Sequence, residues 1–241
     1  MKIFVDFDNT LVDSVLAFVT RHNMLYGTRF ASSSVTTYEF KNLNVTEEEI
    51  IHGFESRCFF GELTLYKGAK DALIKLQEAG ATLVLVTRGT LANTQLKIEW
   101  LNSHHWIKDL FSDFIFLTSN QDAIKIDMSD SILIDDYRIN HVNSNAKYKY
   151  AFKDQAQRTW YPSQDDGVKV FNSWSQLAED IRTILVTKAK DISKTNNKPL
   201  KQSVEKKSNS RNRYRKKHNT RNNSSDNKNV NKKNTKQKGG D

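Results

Sequence analysis

Apolar positions along this chain fall into two patterns. Ile3–Val5, Leu83–Val86, Phe114–Leu117 and Ile132–Ile134 are short unbroken runs, each stopping abruptly at polar residues. Such runs mark strands buried on both faces, as in a parallel sheet. Between them the apolar residues recur at helical spacing. Val15, Leu16, Phe18, Val19 and Leu25 give one face to a helix from Ser14 to Tyr26, which Gly27 ends. Thr46 followed by Glu49 reads as a capping box that opens a helix through Ile50, Ile51 and Phe54. Further helices are predicted from Gly68 to Ala79 with Gly80 as its stop, from Leu91 to Leu101, and from Trp174 to Val186. Tyr148–Phe152 and Val168–Phe171 read as two short edge strands. Strands alternating with helices predict an α/β fold with a Rossmann-like parallel sheet.

About fifty residues separate the first strand from the helix at Gly68, too many for a plain loop. The expected domain organisation is therefore a core of residues 1–13 and 67–186, with residues 14–66 as a small helical cap inserted after the first strand. The cap's aromatics are its own core first, and a wall over the strand ends second. From Thr187 the composition shifts to Asn, Lys, Arg and Ser with few apolar residues, and residues 187–241 are expected to be a disordered basic tail.

Charge divides at the same place. The stretch from Lys188 carries 18 Lys+Arg against 4 Asp+Glu, a net +14. What precedes it has 19 against 24, a net −5, so the overall +9 belongs to the tail. Cys58 is the single cysteine and excludes an internal disulfide; it reads as a small core or cap residue. No apolar run approaches the ~20 residues needed to cross a bilayer, and the N-terminus reads as a strand rather than a signal peptide. A reducing, intracellular (cytoplasmic) setting is expected.

The chemistry collects where the strands stop. Asp6 and Asp8 follow the first strand, on the same side because extended side chains alternate. Asp135 and Asp136 follow Ile132–Ile134. Carboxyl ends of strands are the ligand side of open α/β sheets. Paired carboxylates there repel one another unless a hard cation such as Mg²⁺ takes their oxygens. Thr87-Arg88-Gly89-Thr90 ends the second strand with a hydroxyl and backbone N–H groups suited to an oxyanion, and Lys125 lies ten residues before the second acid pair.

Asp6-Phe-Asp-Asn-Thr10, Thr87, Lys125 and Ile134-Asp-Asp136, in this order, resemble the four motifs of the haloacid-dehalogenase-like phosphatase superfamily over residues 1–185. The compact cap, Tyr66-Lys-Gly-Ala69, the spacing from Lys125 to Asp135-Asp136, and Phe171-Asn-Ser-Trp174 before a helix resemble the 5′(3′)-deoxyribonucleotidase family. The resemblance implies a Mg²⁺-dependent phosphomonoester hydrolase acting on nucleotides. Asp6 would be the nucleophile and Asp8 the acid and base. Asp6, the Asp8 backbone carbonyl and Asp136 would hold Mg²⁺, with Asp135 holding metal waters or orienting Lys125. Thr87, Lys125 and the Asn9 N–H would bind the phosphoryl oxygens; Arg88, bulkier than the small residues the family commonly has there, is a departure that would contact substrate or face solvent. The chain departs from the family at Asn9, where glycine is frequent, and at Ser14, where an aromatic commonly packs on the base.

Three other readings compete. A phosphorylated nucleic-acid end would give the basic tail a partner, since Lys/Arg-rich arms bind phosphate backbones. A receiver-like switch also uses Asp, Thr and Lys at strand ends, but has no cap after its first strand. A non-catalytic nucleic-acid-binding protein is opposed by the intact acid set. Oligomeric state is not legible.

Overall fold

Six parallel strands build the sheet, in the order β3-β2-β1-β4-β5-β6. They are β1 (Lys2–Asp6), β2 (Thr82–Gly89), β3 (Asp113–Thr118), β4 (Ile132–Ile134), β5 (Tyr148–Phe152) and β6 (Lys169–Phe171). The structure is a computed structural model that describes residues 1–118 and 126–196. Consecutive residues of β1 pack on opposite faces. Ile3 and Val5 join Leu83, Leu85, Ile132 and Ile134 in the large core. Phe4 joins Val84, Val86 and Leu133 in a smaller one on the other face. Burial on both faces is why these strands read as unbroken apolar runs.

The helices are α1 (Ser14–Tyr26), α2 (Glu47–Phe54), α3 (Arg57–Glu62), α4 (Ala69–Glu78), α5 (Leu91–Ser103), α6 (His105–Lys108), α7 (Arg138–Asn143) and α8 (Trp174–Asn196). Short 3₁₀ turns lie at Ser32–Ser34, Lys41–Leu43 and Gln164–Asp166. The insertion between β1 and α4 is helical, as its spacing predicts. Thr46 and Glu49 form the reciprocal capping box at the start of α2. Gly27 ends α1 in the left-handed conformation at φ 66°. Phe18, Phe40 and Phe59 of the insertion belong to the same buried cluster as Leu73 and Leu76 of α4 and Trp174 and Leu177 of α8. One continuous core therefore runs from the sheet into the insertion.

Several boundaries differ from the sequence expectation. β2 does not stop at Thr87 but continues to Gly89, because Thr87, Arg88 and Gly89 pair with Phe116, Leu117 and Thr118 of β3. β5 is not an edge strand: it pairs with β4 on one side and β6 on the other. Helix α8 takes in the first ten residues of the expected tail, 187–196, since Lys, Ala and Thr propagate a helix that Trp174, Leu177 and Ile181 anchor in the core. The remainder of the expected tail, residues 197–241, lies outside the described residues, as does Lys125. Cys58 is exposed on α3 and not a core residue, since the buried positions of that helix are Phe59 and Phe60.

Candidate active site

Strand order places the chemistry. β1 lies between β2 and β4, and the chain crosses from the β3 edge back over the sheet to reach β4. The crevice beside β1 is thus a topological switch point, where loops leave the carboxyl ends in opposite directions. Asp6 ends β1, and Asp135 and Asp136 directly follow β4. Their side chains each bring an oxygen to within 4.8 Å of the others.

Removal from water pushes the Asp6 carboxyl well above the usual range, and Asp135, Asp136 and Asp8 push it further. Asp136 is raised by burial first and by Asp135 second, while the Trp160 indole opposes the shift. Burial pushes Asp135 up to about 7, against hydrogen bonds that lower it. Its Oδ1 accepts the Tyr137 N–H and its Oδ2 the Asn140 amide, both at 2.8 Å. His141, wholly buried, places Nε2 2.8 Å from the Asp135 carbonyl and fixes the backbone of this corner. Three crowded carboxylates in a desolvated corner form a hard, anionic oxygen set that fits a divalent cation.

Asp8 stands apart from that trio. The chain turns at Asn9, whose φ of 55° is left-handed, a conformation asparagine tolerates better than most residues. This is why Asn can stand where the resembling family often has glycine. The Asn9 side chain accepts the Val15 N–H at 3.0 Å and ties the turn to the start of α1. Both Asp8 oxygens are engaged. Oδ1 accepts the Ser14 hydroxyl at 2.6 Å. Oδ2 accepts Lys97 Nζ at 2.5 Å and lies 3.4 Å from the Thr87 hydroxyl. Ser14, where an aromatic would otherwise pack on a base, is fully buried and serves Asp8 instead.

Lys97 is the residue sequence reading missed. It sits on α5, 1 % exposed, and its Nζ also donates to Thr87 Oγ1 at 2.7 Å and to the Arg88 carbonyl at 2.8 Å. Its signal was a lysine in the buried stripe of Asn93, Trp100 and Leu101 at helical spacing. Trp160 was missed as well: its indole N–H donates to Asp136 Oδ2 at 2.7 Å. No local pattern marks that residue, which reaches the site from the loop after β5.

A cavity of about 850 Å³ opens over this corner. Asp6, Asp8, Asn9, Arg88 and Asp136 form its floor and rim, and Tyr38, Phe40, Ile50, Phe54 and Tyr137 form apolar walls. Tyr38 stacks on Tyr137 with centroids 4.5 Å apart. Thr87 and Asp135 share with Asp6 a separate, water-sized cavity of about 30 Å³. Thus the structure brings Asp6, Asp8, Asn9, Thr87, Arg88, Asp135 and Asp136 to one end of the sheet. Arg88 is exposed there. Lys125 lies outside the described residues.

Comparison with one solved structure supports the fold independently. A protein of Clostridium acetobutylicum, described as a predicted phosphatase, superposes with a TM-score of 0.54 at 18 % identity, covering 75 % of this chain and 97 % of that one. A haloacid-dehalogenase-superfamily hydrolase of subfamily IA from Geobacter sulfurreducens superposes with a TM-score of 0.47 at 13 % identity, covering 74 % and 97 %. A comparison with curated proteins gives no match. The family model described as 5′ nucleotidase, deoxy (pyrimidine), cytosolic type C protein matches residues 1–190. The chain accordingly belongs to that 5′ nucleotidase family and is a phosphoric monoester hydrolase of the haloacid-dehalogenase superfamily.

Proposed function

We propose that this protein is a Mg²⁺-dependent nucleotidase that removes phosphate from (deoxy)nucleoside monophosphates through an aspartyl-phosphate on Asp6. The observation that carries the reading is the convergence of Asp6, Asp135 and Asp136 within 4.8 Å, with Asp8 alongside, under an 850 Å³ cavity with aromatic walls. A cavity of that size suits a mononucleotide, and aromatic rings suit a base. The family match supports a nucleotide as substrate.

An Asp6 oxygen attacks phosphorus, and the bond from phosphorus to the ester oxygen breaks. Asp8 gives its proton to the departing alkoxide, releasing the nucleoside as an alcohol. Water then attacks the phosphorus of the aspartyl-phosphate, Asp8 takes its proton, and inorganic phosphate leaves as Asp6 is restored. A carboxylate is a weak nucleophile, so the rate rests on positioning and charge neutralisation. Asp6, Asp136 and the Asp8 carbonyl would hold Mg²⁺, and Asp135 would order its water shell. Bound there, the ion offsets the charge of a carboxylate approaching a phosphate dianion. Thr87, the Asn9 N–H and Lys125 are assigned to the phosphoryl oxygens, and Arg88 to the substrate at the cavity rim. Lys97 and Ser14 hold the Asp8 carboxyl in one orientation.

Phosphate release from ribo- and deoxynucleoside 5′- and 3′-monophosphates, and from phosphorylated oligonucleotides, tests this with Mg²⁺ and with EDTA. Turnover of a mononucleotide that EDTA and Asp6→Asn both abolish is the expected result. Turnover of oligonucleotides alone would replace the reading with end-processing. No turnover at all would refute a nucleotide substrate.

A further inference from the structure

The loop from Lys153 to Ser163 leaves β5, yet its central residues grip both the insertion and the acid corner. Arg158 is buried; its Nη1 donates to the Val35 carbonyl at 2.7 Å, and Asp154 pairs with its guanidinium at 2.5 Å. The Thr159 N–H donates to the Thr36 carbonyl at 2.8 Å. Trp160 follows, 5 % exposed. Its carbonyl accepts the Arg138 N–H at 2.9 Å, and its indole N–H points to Asp136 Oδ2 at 2.7 Å. The ring is further fixed by the Arg158 guanidinium 5.1 Å from its centre and by the Tyr38 ring, edge-on at 5.9 Å. An indole held on this many sides has no freedom to follow a moving carboxylate. It therefore dictates where Asp136 sits.

We propose that Trp160 is a positioning residue for the divalent-metal corner: its N–H occupies one Asp136 oxygen and so orients the other towards the cation. This rests on the reading of Asp6, Asp135 and Asp136 as the metal set. A donor that orients a ligating carboxylate typically changes metal affinity by about 10- to 100-fold. The ring also lines the main cavity, while its N–H is engaged by Asp136. Because residues 158–160 also bond the backbone at Val35 and Thr36, the same strap ties the metal corner to the cavity wall at Tyr38.

Replacing Trp160 by β-(3-benzothienyl)alanine keeps the bicyclic shape and removes only the donor; Trp160→Phe is the genetic counterpart. Binding of MgCl₂ alone is followed by calorimetry and by the rise in melting temperature, and kcat and KM are measured across Mg²⁺ concentrations. The inference expects half-saturation by Mg²⁺ to rise roughly tenfold in all readouts. It also expects kcat at saturating Mg²⁺ to return to within about threefold of the wild type. Unchanged half-saturation in the isostere overturns it. A loss of kcat that Mg²⁺ does not restore, or a fall in melting temperature equal with and without Mg²⁺, overturns it too, by making the role purely structural. A wild-type protein that binds no Mg²⁺ removes the metal reading beneath the inference, and is distinguished by calorimetry before any variant is made.

Discussion

Lys97→Met is the substitution that the buried network makes most consequential. Methionine fills nearly the same slot on α5, so little cavity forms. What disappears is a cation with three acceptors: Asp8 Oδ2, the Thr87 hydroxyl and the Arg88 carbonyl. Removing one partner of a fully buried ion pair costs about 3–5 kcal/mol. The Asp8 side chain is 28 % exposed and keeps its bond from Ser14, so water recovers part of that loss. An expected destabilisation of about 2–3 kcal/mol follows, or a fall of roughly 5–10 °C in Tm for a domain of this size. Catalysis should suffer more. A freed Asp8 carboxyl is no longer held in one orientation, and misplacing a catalytic group costs on the order of 10²-fold. The expected kcat is therefore lower by about two orders of magnitude, with KM little changed, because Lys97 does not line the main cavity. Lys97→Arg should not rescue it, since a planar fork does not fit a slot holding a side chain only 1 % exposed. Thermal melting and steady-state kinetics on folded protein measure both effects. A Lys97→Met enzyme with activity within threefold of the wild type would refute the role given to this network.

Two further outcomes follow from other parts of the fold. Burial raises the Asp154 carboxyl, but hydrogen bonds from Arg158 and Tyr161 and the Arg158 charge outweigh it and hold it below the usual range. With the folded value depressed, the unfolded chain binds more protons in acid, so this stability is complete above pH about 4 and is lost as pH falls below it. Asp154→Asn should lower the melting temperature at neutral pH and flatten its decline in acid; an unchanged acid limb would show that the pair contributes nothing. Gly53→Ala places a methyl 2.7 Å from Phe18, whose ring is fully buried between Phe40 and Phe54. Overpacking of this kind costs about 1–3 kcal/mol, more than the ~1 kcal/mol that alanine adds to a helix. A lower Tm with a raised KM is expected, because Phe40 and Phe54 also wall the cavity; a more stable variant would contradict the packing.

The sequence by itself determined what depends on short stretches of chain. Ile3–Val5 and Ile132–Ile134 could only be strands buried on both faces, and the acids directly after them had to emerge at one end of a parallel sheet. Thr46 with Glu49 and Gly27 marked helix ends, because capping is settled within a single turn. The motif order sufficed to mark the superfamily, and it put Asp6, Asp8, Thr87, Asp135 and Asp136 at or beside strand ends, which the fold gathers at one end of the sheet. Tertiary structure decided what depends on partners distant in the chain. β2 runs on to Gly89 because β3 lies beside it, and β5 is interior because β6 closes the edge. The Asp8 carboxylate turns to a buried lysine 89 positions away, which takes one of its oxygens. Asp136 is oriented by an indole from a loop that no periodicity singles out. A lysine at a stripe position and a tryptophan in a polar loop look the same in sequence whether they serve the site or only the core. Their roles appear only when the fold fixes which oxygen each donor meets.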